Sequence, residues 1–226
     1  MSLHNKLAVV LMSGGMDSAV CAAIARKEGF NLAALHVSYG QLTQAREQKA
    51  FHDLADYFKA LTRMVVDIDY LAKIGGSSLT DSRIELHLNS GQSHSIPNTY
   101  IPFRNANLLA IATSWAEVIG AEAIYIGAMQ QDYSGYPDCR EEFFEAFGKA
   151  IQTGTKPETK IEIKTPIINY RKQDIVRIGL EMKVPFELTW SCYQNSDEAC
   201  GECDSCRLRL KGFREAGRID PITYKK

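Results

Sequence analysis

The sequence lacks the features that mark a membrane protein, a fibre or a strongly charged binding module. Its longest apolar runs are short, as in Leu7 to Met12, against the roughly 20 residues that a membrane-spanning helix needs. The first residues, MSLHNKLAVVLMSGG, carry too brief an apolar run for a secretory leader and lead straight into a glycine loop, so a cytoplasmic protein is expected. Charge of one sign is missing: 26 basic residues against 27 acidic ones leave a net charge of −1. No global basic field exists, and neither a nucleic-acid partner nor a membrane is expected. Neither Gly-x-x-x-x-Gly-Lys-Ser/Thr nor Gly-x-Gly-x-x-Gly occurs, which excludes a P-loop NTPase and the dinucleotide fingerprint. There is no internal repeat. His36, His87 and His94 have no partner at ligand spacing, so no histidine metal site is expected.

What is present is ordinary globular composition, 45% hydrophobic and 23% charged over 226 residues. That length accommodates one α/β domain and a small appendage. LAVVL at 7–11 reads as a short buried strand, and DSAVCAAIARKEG after it as an alanine-rich helix ending at Gly29. Strands are expected at 31–37, 63–68, 123–126 and 161–163. Helices are expected at 43–59, 105–118, 141–151 and 173–182, from apolar groups at helical spacing such as Phe51, Leu54, Ala55 and Phe58. Alternating strands and helices imply right-handed crossovers and a mostly parallel sheet, a Rossmann-like doubly wound α/β fold. Residues 75–98, rich in Gly, Ser and Asn, break the alternation and read as a long loop, a length that often carries function. Phe143, Phe144 and Phe147 read as packing, and Cys21 as core.

Ser13-Gly14-Gly15-Met16-Asp17-Ser18 follows the first strand and opens the first helix. Two glycines let the backbone approach an anion, and the helix presents unpaired N–H groups and its positive dipole end. Ser13 and Ser18 add hydroxyl donors, while Asp17 either caps the helix or holds magnesium. The loop resembles the PP-loop of the ATP pyrophosphatases, which implies cleavage of ATP to AMP and pyrophosphate.

Four of six cysteines crowd into one window: Cys192, then Cys200, Cys203 and Cys206. Two overlapping Cys-x-x-Cys knuckles and one upstream thiol supply four thiolates for tetrahedral Zn2+, leaving no open position, so the ion is expected to be structural. The segment from Ser191 onward has few large apolar residues and needs such a staple. Residues 1–190 are therefore expected to form the ATP-binding α/β domain, with 191–226 a zinc-bound helical appendage packed on it.

Beyond the loop, further segments resemble one family, the 7-cyano-7-deazaguanine (preQ0) synthases: SGGMDSAVC at Ser13, YGQ at Tyr39, PNTYIPFRN at Pro97, DYSGYPDCR at Asp132, KTPIINYRKQDI at Lys164 and TWSCYQNSDEACGECDSCRLR at Thr189. The resemblance runs from first strand to last helix. It implies conversion of 7-carboxy-7-deazaguanine, ammonia and Mg2+-ATP to the nitrile, an intermediate toward queuosine, by a cytoplasmic homodimer. It implies ATP binding by Met12, Ser13, Gly14, Gly15, Met16, Asp17, Ser18, Ala19 and Val20, with Tyr39, Gln41 and Asn105. Arg104, Lys172, Asp132 and Arg140 are the implied catalytic residues, and Tyr136 and Asp138 the implied substrate contacts. Cys139 reads as structural or substrate-lining, since the chemistry needs no thiol.

Two positions depart from the pattern. Leu42-Thr43 stands where many members have Arg-His, and Phe103 where many have glycine. A tRNA-thiolating relative would need RNA-binding surface and catalytic cysteines, and four of the six cysteines are expected to hold zinc. A glutamine-dependent synthetase would need an N-terminal cysteine nucleophile, and residue 2 is Ser2, so free ammonia is the expected nitrogen donor.

Overall fold

A computed structural model describes residues 6–84, 96–130 and 135–225. Among them are five strands: β1 (Leu7–Leu11), β2 (Asn31–Ser38), β3 (Thr62–Asp67), β4 (Ala123–Ile126) and β5 (Glu162–Lys164). The helices are α1 (Met16–Lys27), α2 (Gln44–Tyr57), α3 (Tyr70–Ile74), α4 (Arg104–Ile119), α5 (Glu141–Gly154), α6 (Lys172–Glu181) and α7 (Asp204–Glu215). Short 3-10 turns occupy Pro137–Cys139 and Phe186–Leu188.

The sheet is parallel throughout, in the order β3-β2-β1-β4-β5. Period-two alternation along β1 sends Ala8 and Val10 to one face and Val9 and Leu11 to the other. The first face is covered by α1, α2, α6 and Phe213 of α7, the second by α3, α4 and α5. Both faces are thus apolar, which is why the central strands read as continuous hydrophobic runs. The chain reverses its winding between β1 and β4, and such a switch point opens a crevice at the strand carboxyl ends.

Small residues set how closely the layers approach. A Cβ at Gly179 in α6 would lie 2.2 Å from Phe186, and one at Gly127, just after β4, 3.0 Å from the backbone of Asp17 and Ser18. His36 on β2 is buried, stacked on Phe51, with Nδ1 2.9 Å from the Met12 carbonyl. A carbonyl only accepts, so Nδ1 carries the proton there, and burial lowers the imidazole pKa and keeps it neutral.

The expected alternation is present, with strand and helix ends shifted by one to three residues. The single turn α3 has too few residues for a periodic signal. The long loop splits: 77–84 and 96–103 are ordered turns joined by Ser78 N–H to the Asn98 carbonyl at 2.9 Å, while His87 and His94 lie outside the described residues. The expected packing residues Cys21 and Phe144 are buried, and Phe143 and Phe147 pack beside Phe144.

In the C-terminal segment, Arg209 on α7 is fully buried and held by Asp220 through two hydrogen bonds of 2.7 and 2.9 Å. It also donates to Thr189 Oγ1 and to the Phe186 carbonyl. Removing one partner of such a pair leaves an uncompensated buried charge. Asp220→Ala is expected to cost roughly 3–5 kcal/mol of unfolding free energy, measured by denaturant titration.

Candidate functional site

A cavity of about 250 Å³ opens at the switch point. Its floor comes from the strand ends: Leu11 and Met12 of the β1 end, Leu35 and Val37 of β2, and Ile126 and Gly127 of the β4 end. The loop after β1 enters it as expected. Ser13, Gly15, Met16, Asp17 and Ser18 line the cavity at the amino end of α1, where N–H groups and the dipole favour an anion. Gly14 has φ +85°, and a Cβ there would sit 2.6 Å from the Glu47 carbonyl, so only glycine fits. Ser18 Oγ donates to the Gly15 carbonyl at 2.9 Å, and the Gly15 N–H is 3.3 Å from Ser13 Oγ. Ala19 and Val20 are fully buried on the other side of the helix and support the loop from the core.

Charged groups meet over this loop. Lys172, at the start of α6, grips both carboxylate oxygens of Asp17 at 2.6 and 2.7 Å. Lys172 is kept there by α7, because Gly212 packs so closely that a Cβ would lie 2.8 Å from Lys172 Cβ. Asp17 is therefore an ion-pair partner in the first turn of the helix rather than its N-cap.

On the opposite wall, Arg104 Nη1 is 3.2 Å from Tyr39 Oη, and the guanidinium faces the rings of Tyr39 and Tyr136. Burial opposes its charge, but Tyr39, Tyr136, Cys139 and Asp138 outweigh that and hold it firmly protonated. Burial raises the phenols in turn, Tyr39 to about 12 and Tyr193 well above its ordinary value, so they remain neutral donors. Tyr136 shares a 2.7 Å hydrogen bond with Thr99. Asn105 lines the cavity while its backbone N–H and side chain bind Asp138 at 2.9 and 2.8 Å.

The other expected site residues fall outside the lining. Asp138 is buried beneath the start of α4, where its carboxylate accepts the Asn105 N–H. Arg140 is exposed at the N-cap of α5. Gln41 is buried behind the wall, and Asp132 lies outside the described residues. Cys139 is buried, accepts from Asn105 at 3.3 Å and has its thiol pushed up to about 11 by burial, an inert thiol.

Sequence reasoning missed several lining residues: Glu47, Trp190, Tyr193, Ser205 and Arg209. The Trp190 backbone N–H donates to the Gly14 carbonyl at 2.9 Å, its indole N–H donates to the Asn195 carbonyl, and Arg46 stacks on its ring at 4.4 Å. Only Glu47 had a local signal, since Thr43 and Glu47 are spaced to meet on one helical turn. Phe103 has φ +57°, which explains why glycine suits that position, and its exposed ring rests against Phe143.

The four clustered cysteines converge. Their sulfurs all lie within 4.8 Å of one another, and Cys200 Sγ to Cys206 Sγ is 3.9 Å. A tetrahedral zinc with Zn–S of about 2.3 Å requires sulfurs about 3.8 Å apart, so the set fits the ion. Backbone N–H groups of Gln194, Asn195 and Cys200 point at Cys192 Sγ, and those of Glu202 and Cys203 at Cys200 Sγ, all at 3.3–3.4 Å. These charge-assisted donors suit thiolates. The cluster buries Trp190 and Ala50 beside it, so the metal staple reaches the cavity wall.

A parallel 3-2-1-4-5 sheet with a Ser-Gly-Gly-x-Asp-Ser loop at its switch point defines an ATP-using enzyme of the PP-loop class. Within that class the chain belongs to the queuosine biosynthesis protein QueC family, whose model matches residues 7–217. It is 56% identical over 219 residues to a 7-cyano-7-deazaguanine synthase of Chlorobium phaeobacteroides, covering 97% of each chain. It is 55% identical to the protein of that name from Koribacter versatilis, covering 96% of this chain and 92% of that one. Among solved structures, a 4-thiouridine synthetase in complex with RNA and bound ATP aligns with TM-score 0.53 at 18% identity, over 94% of this chain and 50% of that one. A predicted subunit of tRNA methyltransferase from Methanocaldococcus jannaschii aligns with TM-score 0.52 at 12% identity, over 98% and 93%. These two likenesses share the fold. Among the described residues no helix is long and apolar enough to cross a membrane.

Cys203→Ser is expected to abolish stoichiometric zinc, measured by elemental analysis. It should also lower the thermal midpoint by roughly 5–10 °C, at 2–4 °C per kcal/mol for a chain of this size.

Proposed function

We propose that the chain converts 7-carboxy-7-deazaguanine and ammonia, with two Mg2+-ATP, to 7-cyano-7-deazaguanine. The observation that carries this reading is one cavity that joins an anion-binding loop, three basic residues and an aromatic wall. The names of relatives at 50–56% identity supply the substrate class.

A carboxylate is a poor electrophile. In the proposed sequence its oxygen attacks the α-phosphorus of ATP, the bond to pyrophosphate breaks, and the acyl adenylate forms. Ammonia adds to the carbonyl carbon, AMP departs, and an amide results. The amide oxygen takes a second AMP, and loss of that AMP with two protons leaves the nitrile. The chain's contribution is positioning and fixed charge rather than covalent catalysis.

The loop from Ser13 to Ser18 holds the phosphates through N–H and hydroxyl groups. Lys172 neutralises the departing pyrophosphate, and Asp17, once released from Lys172, would hold magnesium, which supplies charge neutralisation at the phosphates. Arg104 stabilises the charge at the adenylated carboxyl, with Tyr39 and Asn105 beside it. Tyr136 borders the deazaguanine, and Asp132, Asp138 and Arg140 belong to the same segment of chain; Asp138 acts by fixing Asn105. The homodimer implied by resemblance completes the reading.

The test is mass spectrometry of small molecules after incubation with 7-carboxy-7-deazaguanine, ammonium, Mg2+-ATP and zinc. Nitrile with two equivalents of AMP is the expected result, and neither product nor AMP from folded, zinc-loaded protein would overturn the assignment. AMP with only the amide would mark an enzyme that stops halfway. Lys172→Met is expected to slow AMP release by about 10²-fold or more, the scale of losing one charge-stabilising donor.

A further inference from the structure

Two carboxylates line the cavity, and they are held differently. Asp17 is neutralised by Lys172. Glu47, in the first turn of α2, is held by neutral donors: Thr43 Oγ1 donates to Oε1 at 2.7 Å and Gln41 Nε2 to Oε2 at 3.1 Å. Among the described residues no lysine or arginine pairs with it directly. The Gln41 amide cannot turn round, because its oxygen accepts the Tyr39 N–H at 2.8 Å. Each Glu47 oxygen therefore accepts one fixed bond, and an ionised carboxylate has about four acceptor positions. Capacity remains for a donor arriving from the cavity that Glu47 lines.

We propose that Glu47 is the ammonium-binding and proton-accepting residue of this cavity. The proposal rests on the reading that ammonia is the nitrogen donor. At neutral pH the donor is ammonium, which has no lone pair to attack with. Ammonium docks on Glu47 and gives it one proton, and the freed lone pair forms the C–N bond to the acyl carbon. The C–O bond to AMP then breaks with its electron pair, and the second proton lost from nitrogen passes to the departing phosphate. Burial raises the Glu47 carboxyl above the ordinary glutamate range, more than Thr43, Gln41 and the nearby Arg104 lower it, which brings its basicity closer to what this transfer needs. Thr43, half of the departure from the Arg-His pattern, is the residue that orients the base.

Glu47→Gln preserves shape and removes the base. Two steps are read on the same purified protein: ATP–pyrophosphate exchange driven by the carboxylate substrate without ammonium, and ammonium-dependent amide formation. The expected result is exchange within about threefold of wild type and a kcat/KM for ammonium lower by about 10²–10⁴-fold, the range of general-base contributions. Hydroxylamine, which arrives neutral with its lone pair free, should restore most of the second step. Loss of exchange alongside amide formation from a variant with an unchanged thermal midpoint would make Glu47 a loop-positioning or magnesium group and overturn the proposal. An unchanged ammonium kcat/KM would overturn it as well. Wild-type protein with no exchange at all would overturn the substrate reading and the proposal together, so the two failures are told apart.

Discussion

The architecture depends on backbone approaching backbone at the Gly14–Gly15 turn. The α2 carbonyl of Glu47 sits where a Gly14 side chain would be, and the Trp190 N–H bonds the Gly14 carbonyl. Gly127 lets the end of β4 lie against the first turn of α1. Three distant parts of the chain thus close on one loop, with no side chain between them. This packing sets the amino end of α1 at the cavity, whose lining includes Gly15, Met16, Asp17 and Ser18. It also carries Glu47 and Trp190 to the rim as a by-product of holding the loop.

The C-terminal segment contributes to the same place by a different force. It has little apolar surface of its own, and its small cluster borrows Ala50 and Trp190 from the main body. Thiolate–metal bonds replace the hydrophobic burial that such a segment lacks. Fixed in this way, α7 presses Gly212 against Lys172 and points Arg209 at the cavity wall. A staple far from the loop in sequence therefore sets where a cation stands over it.

The electrostatics follow from burial. Arg104 and the phenols around it sustain one another: the guanidinium is held charged and the tyrosines are held neutral. Asp17 and Lys172 cancel across the loop, while Glu47 is held by the neutral donors Thr43 and Gln41 and burial raises its carboxyl pKa. The cavity thus presents a cationic side, a cancelled pair and a carboxyl group held by neutral donors within a single small space.

How much was legible in the sequence differs by kind of feature. Strand and helix order followed from periodicity, because β1, β2 and β4 are buried on both sides and read as unbroken apolar runs. The phosphate loop and the cysteine set were legible because each is a contiguous pattern whose chemistry depends on near-neighbour spacing. The cavity's composition was not. Glu47, Trp190 and Arg209 lie far apart in sequence and meet only because a parallel sheet brings its strand ends together. Asp138 and Gln41, which local motif places with the substrate or nucleotide, hold Asn105 and Glu47 from behind. The sequence by itself determined which elements form and which short motifs carry reactive groups, since those depend on periodicity and adjacent residues. Which carboxyl group meets a lysine and which meets only neutral donors, and which side chains face the cavity rather than brace it, only the tertiary structure decided, because burial and hydrogen-bond partners are properties of packed surfaces.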